Sequence, residues 1–526
     1  MGPIVPGGRL RQGQSGALML PLMLRCGPVA QRSFIWISLL GVAVVAAVHQ
    51  TAPAAVPVAG PVFSHCEMEH PLGISAVEAQ CTRVTVPEDP RRPAGRQLQL
   101  FVARIPALSR QAAAEPLFIL AGGPGLGAST FYSSAAPVFA RIRRRHDIII
   151  VDQRGTGRSH PLLCQFDEQQ MWDAGEEQTA RVMRECRATL EKTHDLAQYT
   201  TSIAVRDLEA VRVALGYRRI SFYGSSYGTR VAQHYARRYP ASTEALILDG
   251  VVPPTRILGT STPLDAERSL QQVFERCRRD AACQKQFGDP AQDYRELRDR
   301  LARSPVDVSM PDPHSGAPRT IAFTGSALAG ALRLATYSAE QAALLPLALH
   351  LANRKNQFGP LAAQFLLSAS GYDAVLAYGM HNSVVCAEDV PFFDTADTHG
   401  DLSATFLGSA QIDALKALCN GWPRGPIDPD FHQKLDSPVP ALILSGTADP
   451  VTPAAFGDEA ALGFAYALHL KMPDQGHGQL AQPCMDGIMA AFLDAAHRSK
   501  RPQVDTNCLT KVVADPFFLD MGGPGP

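Results

Sequence analysis

From residue 97 onward the chain carries two kinds of hydrophobic pattern. Gln97 to Ile105 places polar and apolar residues by turns, which predicts an antiparallel strand with one wet face. Pro116 to Ala121 and Asp147 to Asp152 are short unbroken apolar runs, suited to strands covered on both faces. Ile203, Leu208, Val211 and Leu215 recur at helical spacing, and Gly216 stops that helix. The strand Arg219 to Gly224, a helix from Tyr227 to Arg238 ended by Pro240, and the strand Glu244 to Asp249 follow. Such alternation predicts a mostly parallel sheet with helices on both faces.

At Val251-Val252-Pro253-Pro254 the pattern breaks. Residues 255–437 read as mainly helical, interrupted by Pro and Gly, without clear runs of buried strand. Alternation resumes with Val439 to Gly446, then Tyr466 to Met472, then a helix through Ile488, Phe492 and Leu493. The expected organisation is one α/β domain in two parts, 62–254 and 438–520, with a large helical insertion at 255–437. Residues 1–61 precede the domain as a leader and linker, and 521–526 form a tail.

Composition narrows the function. The chain of 526 residues has 49 basic and 50 acidic side chains and a formal charge of -1, without the basic excess of a nucleic-acid binder. Hydrophobic residues at 46% supply enough material for a core, which excludes a disordered chain. Arg25 and Arg32 precede an uncharged run, Phe34 to Val48, shorter than the ~20 residues of a membrane span and suited to the core of a signal peptide. Ala52, Ala54 and Ala55 offer a cleavage site, while an uncleaved anchor over 34–48 is the alternative and the chain's one route to a membrane. Met19 and Met23 are possible later starts. Of 11 cysteines, Cys26 lies in the leader and ten follow, falling as sequence-local couples. An even number in an exported chain predicts local disulfides, hence a periplasmic or extracellular protein. No C-x-x-C occurs, and no metal is expected.

The chemistry is concentrated in three segments. Gly224-Ser225-Ser226-Tyr227-Gly228 sets a G-x-S-x-G pattern between a predicted strand and a predicted helix. A sharp turn there holds the central serine in strained backbone, and side chains at the flanking positions would clash. The turn also puts Ser226 at the positive end of the following helix. A serine hydroxyl needs a base, and that base needs an orienting acid. Asp449 lies just past one predicted strand and His477 just past the next, in a Gly-flanked loop, giving the order Ser, Asp, His. Asp249 also ends a strand and is the rival acid, less suited because it sits at the entrance to the insertion. Donors for a tetrahedral oxyanion are expected from the backbone N–H of Tyr227 and from the turn Ala121-Gly122-Gly123-Pro124-Gly125. No organic cofactor is required.

Taken together, GGPG (Gly122 to Gly125), DQRGTGRS (Asp152 to Ser159), GSSYGT (Gly224 to Thr229), VVCAEDVPF (Val384 to Phe392), GTADPVTP (Gly446 to Pro453) and GHG (Gly476 to Gly478) resemble the prolyl and tripeptidyl aminopeptidases among the α/β-hydrolases. The resemblance runs from Cys66 to Phe518 and is more specific for the exported branch with a tripeptidyl-aminopeptidase-like carboxyl-terminal region. It implies an α/β-hydrolase fold with a helical cap inserted after the sixth strand, a Ser226–Asp449–His477 triad, and Gly123 and Tyr227 as oxyanion donors. One departure is Ala121, where relatives often have His or Asn.

An enzyme acting at a free amino terminus needs an anion for the substrate's ammonium. Glu388, beside Asp389 and an apolar stretch in the cap, is the candidate, since a cap glutamate is assigned this role in related prolyl aminopeptidases. A solvated acidic turn is the plain alternative. The favoured reading is an exported serine aminopeptidase that takes peptides with a free amino terminus through an acyl-enzyme. A carboxylesterase for small esters and a non-catalytic binding protein of the same fold are the alternatives.

Overall fold

The computed structural model describes residues 60–113, 115–165, 176–313, 315–373, 375–394 and 400–524. The expected leader, its cleavage site and almost all of the linker lie outside them. Among the described residues no helix is long and apolar enough to cross a membrane.

A nine-stranded sheet runs in the order β1-β2-β3-β5-β4-β6-β7-β10-β11. Its strands are β1 (Ser64–Glu69), β2 (Ala76–Pro87), β3 (Gln97–Ile105), β4 (Leu117–Leu120), β5 (Ile148–Val151), β6 (Ile220–Ser225), β7 (Thr243–Asp249), β10 (Ala441–Gly446) and β11 (Ala467–Met472). β1, β2 and β3 pair antiparallel, and β3 joins β5 antiparallel; from β5 to β11 every pairing is parallel. Every residue of β4, β5, β7 and β10 is buried, as unbroken apolar runs require.

Alternate residues of these strands feed two cores. One face carries Phe118, Leu120, Phe222, Leu246 and Ile443 against α3 (Thr201–Ala214) and α4 (Tyr227–Arg238), which follow α1 (Ala128–Ala135) and α2 (Glu176–Leu190) in the chain. The other carries Ile119, Tyr223, Ile247, Leu442 and Leu444, packed with residues of α1 and with Ile488 and Phe492 near the carboxyl terminus. The period of two along each strand decides which core a residue joins.

The inserted segment leaves the sheet after β7, one strand later than the expected sixth, because the β1–β2 hairpin lengthens the antiparallel edge. Its elements are α5 (Thr262–Arg279), α6 (Ala281–Phe287), α7 (Pro290–Leu301), α8 (Gly325–Ala335), α9 (Ala339–Lys355), α10 (Gly359–Asp373), α11 (Tyr378–Glu388) and α12 (Ala410–Cys419). It also contains an antiparallel hairpin, β8 (Val306–Pro311) with β9 (Pro318–Phe323), where the sequence showed no strand. Most of that hairpin is exposed or half-buried, so it lacks the apolar run that marks the central strands. Leu270, Phe274, Leu297, Phe323, Leu332 and Leu349 give this segment a core of its own. Met380, Val384 and Cys386 of α11 belong instead to the core beneath the sheet. The insertion thus divides by what it packs on. After β10 come α13 (Ala454–Ala461) and, beyond β11, α14 (Met485–Arg498).

Five disulfides join neighbouring cysteines in sequence: Cys66–Cys81, Cys164–Cys186, Cys277–Cys283, Cys386–Cys419 and Cys484–Cys508. The local pairing expected from spacing is what forms.

Candidate active site

Sheet register collects the chemistry. Ser225 at the end of β6 is level with Asp249 at the end of β7, Asp249 is level with Leu444 of β10, and Gly446 is level with Met472 of β11. The loops carrying Ser226, Asp449 and His477 therefore leave the same edge of the sheet. β4 lies between β5 and β6, so the chain turns in opposite directions on its two sides. In such sheets the crevice beyond the strand ends at this reversal is where ligands bind.

Ser226 is the residue between β6 and α4, with φ 52° and ψ -122°, a backbone conformation that costs a non-glycine residue free energy. The turn is held by Ser226 N–H donating to Asp249 O at 2.8 Å and Thr229 N–H donating to Ser226 O at 2.9 Å. A Cβ on Gly224 would stand 2.6 Å from Gly228 O, and one on Gly228 would stand 2.6 Å from Leu120 O. Both flanking glycines are thus required by close backbone approach, as the motif predicted. Gly122 comes equally near: its Cβ would meet that of Ser226 at 3.0 Å. This brings the turn after β4 against the serine, with Gly123 and Tyr227 both lining the space above it. Ala121, the departure from the family pattern, is buried in the core below the turn.

Asp449 and His477 form an ion pair with 2.7 Å between Oδ2 and Nδ1. Asp449 is fully buried, and its Oδ1 accepts from the N–H groups of Val451 and Thr452, each at 2.8 Å. Burial alone would raise the Asp449 pKa; His477 and these N–H donors overcome it and hold the carboxyl below its ordinary range. For His477 burial opposes the charged ring, but the Asp449 carboxylate outweighs it and raises the pKa. With Nδ1–H directed at Asp449, Nε2 is left as the acceptor, the form a base needs. The ring is positioned from the sheet side by Gly250, whose Cβ would lie 2.8 Å from His477 Cε1. From the cap side the Tyr337 ring meets it edge-on at 5.5 Å, and Tyr337 O accepts from His477 N–H at 2.8 Å. Ser226 and His477 both touch the Asp249–Gly250 link, and both line one cavity of about 750 Å³.

The rival acid has a different task. Asp249 accepts from the Gln479 N–H at 2.9 Å and from the Tyr223 hydroxyl at 2.8 Å, so it anchors the loop just after His477. Burial pushes its pKa up to about 6.

Glu388 does not line the cavity. It is fully buried behind Tyr227, where its carboxyl accepts from the Thr201 N–H and hydroxyl, the latter at 2.9 Å. The Thr201 hydroxyl also meets the Tyr227 hydroxyl at 2.6 Å. Beside it Arg230 grips Asp389 through two bonds of 3.0 Å. Burial pushes the Glu388 pKa up to about 8 despite Arg230. The Asp389 carboxylate beside it adds to the rise, while the Arg230 guanidinium 3.7 Å away opposes it. The cavity wall instead carries Arg333, Tyr337 and His381 from the cap, none of which any sequence motif marked. Among the described residues no group of three His, Cys, Asp or Glu side chains is placed to share a metal ion.

Residues 115–480 match the family described as alpha/beta hydrolase fold. The chain belongs to the α/β-hydrolase family. It is similar along its length to the serine protease Hip1 of Mycobacterium tuberculosis, 28% identical over 88% of this chain and 96% of that protein. The tripeptidyl aminopeptidase of Streptomyces coelicolor is 31% identical over 34% of this chain and 36% of its own. The proline iminopeptidase of Xylella fastidiosa is 32% identical over 26% of this chain and 32% of its own. As an α/β-hydrolase, the chain is expected to place a nucleophile, an acid and a histidine on the loops that converge here.

Proposed function

We propose that this α/β-hydrolase is an exported serine peptidase that cleaves short peptides, or the ends of longer ones, through an acyl-enzyme on Ser226. The observation that carries the reading is the Asp449–His477 pair at 2.7 Å, set at the edge of the cavity that also exposes the strained Ser226 turn. His477 Nε2 takes the Ser226 proton as Oγ attacks the scissile carbonyl. The N–H groups of Gly123 and Tyr227 receive the oxyanion. The imidazolium, stabilised by Asp449, then protonates the leaving amine, and water activated by the same ring releases the acyl group.

Peptides as substrates follow from the names of the relatives, a serine protease and two aminopeptidases. Release of amino-terminal residues or short peptides is the form of cleavage we propose. A cavity roofed by inserted helices favours chain ends over folded proteins. Export is supported by five disulfides, which persist in oxidising compartments.

Digestion of a defined peptide mixture, with fragments read by mass, tests the reading. Short amino-terminal fragments are expected with the wild type and none with Ser226→Ala. Hydrolysis of short acyl esters without any peptide cleavage would favour a carboxylesterase.

A further inference from the structure

The charge of the cavity wall is one-sided. Among its described lining residues there is no aspartate or glutamate, and Arg333 is the one side chain with a permanent charge. Arg333 lies in the last turn of α8, four residues before Tyr337, and Thr336 between them keeps helical backbone. Tyr337, whose ring packs on His477, follows in the turn just after the helix, and both residues line the same cavity.

Its guanidinium is incompletely satisfied. Arg333 Nε is buried without a hydrogen-bond partner, and no described carboxylate pairs with the side chain. Arg230 Nε is likewise without a hydrogen-bond partner, but its guanidinium is paired with Asp389, as that of Arg154 is with Asp207; Arg333 differs in having no carboxylate. Withdrawing a guanidinium from water without a partner costs free energy, and a carboxylate offers it two parallel charge-assisted bonds.

No carboxylate among the described lining residues supplies the missing negative charge. His381 Nδ1 donates to Pro124 O at 3.1 Å, and burial, with the Arg333 charge adding to it, keeps that ring neutral. Behind the wall Arg230 and Asp389 neutralise each other. A substrate ammonium thus finds no counter-ion in the described lining, whereas a carboxylate does.

We propose that Arg333 is a specificity-determining residue that binds a carboxylate of the substrate, so that the enzyme selects acidic short peptides. This rests on the peptidase reading above and names its substrate class. The carboxylate can belong to an acidic side chain or to a free carboxyl terminus, which present the same chemistry to the guanidinium.

Matched peptides separate these sources: one pair differs by Glu against Gln, another by a carboxyl-terminal acid against its amide. For the wild type, kcat/KM is expected to favour the carboxylate member of at least one pair tenfold or more. In Arg333→Gln that ratio falls to about one, through KM rather than kcat, and Arg333→Lys keeps part of it. A ratio taken within one preparation does not depend on how much of the variant folds. Equal cleavage of both members by the wild type, or a ratio unchanged in Arg333→Gln, overturns the proposal. If the wild type cleaves no peptide, the peptidase reading fails by itself. The same ratio on glutaryl and butyryl nitrophenyl esters then decides the role of Arg333.

Discussion

The cavity has two walls that the chain builds differently. The sheet wall consists of loops leaving the ends of parallel strands, with Ser226 one residue after β6, Asp449 three after β10 and His477 five after β11, held by backbone contacts: Ser226 to Asp249, Gly228 against Leu120, His477 over Gly250. The cap wall consists of side chains projected from helices and the turn between two of them, with Arg333, Tyr337 and His381 facing the space. Loops positioned by a rigid sheet hold a fixed geometry, which suits groups that must exchange a proton. The walls meet at the acid and the base. Arg268 of α5 donates to Asp449 O at 2.7 Å, Ser269 donates to Ala448 O at 2.6 Å, and Tyr337 holds His477, so the cap also braces the loops that carry the chemistry.

The sharpest break of this comparison is a pair of carboxylate substitutions on the sheet wall. Asp449→Asn is expected to lower kcat roughly 10⁴-fold, because the amide no longer holds the imidazole in the acceptor tautomer. Asp249→Asn, whose carboxylate holds the loop after His477 and the Tyr223 hydroxyl, should cost about tenfold or less. Comparable losses would mean that the two carboxylates share the acid's role. The wild-type pH profile sharpens the point. His477 must be neutral to accept the serine proton, and its pKa is raised above the usual 6.5, so kcat/KM should rise with pH along a limb centred above that value. A limb below 6.5 would contradict the Asp449–His477 coupling.

A smaller effect is expected where the cap packs on the core. The Cys386–Cys419 disulfide ties α11 to α12 across a separation of 33 residues. Replacing both with Ala should remove about 3–4 kcal/mol of unfolding free energy on a loop-entropy estimate. Denaturant titration without reductant measures this, and Ser226 should still react with a small fluorophosphonate below the shifted transition. Unchanged stability would show that helix packing alone holds that wall.

The smallest effect concerns Glu388. Its pKa is raised from 4.5 to about 8, so between these values the folded chain keeps a proton that the unfolded chain releases. Its contribution therefore weakens stability progressively as pH rises through that window. Glu388→Gln should remove this slope, narrowing the stability difference between pH 5 and pH 8, while cleavage of free-amine peptides stays within about threefold of wild type. A selective loss on free-amine peptides, with acetylated esters spared, would restore Glu388 as the amine anchor.

The sequence made the sheet wall readable and the cap wall opaque for physical reasons. β4, β5, β7 and β10 are buried on both faces, so their composition alone marks them, and the glycines beside Ser226 and His477 punctuate the loops. β1 and β2 escaped notice because much of their length is exposed or half-buried and interrupted by polar residues. Arg333 sits on an amphipathic helix, where an arginine ordinarily marks a solvated face; only the packing of α8 over Ser226 turns it into a cavity. Glu388 and Asp389 looked like adjacent acids free for a ligand. The end of α11 turns both inward, onto Thr201 and Arg230.

Ser226 and His477 are expected to act together at one carbonyl. Acid-quenching the wild-type enzyme during turnover of a peptide nitrophenyl ester, followed by peptide mass mapping, tests this directly. An acyl adduct is expected on the fragment containing Ser226, absent in Ser226→Ala and strongly reduced in His477→Ala. Turnover with no adduct on that fragment, or with an adduct on another residue, would contradict it.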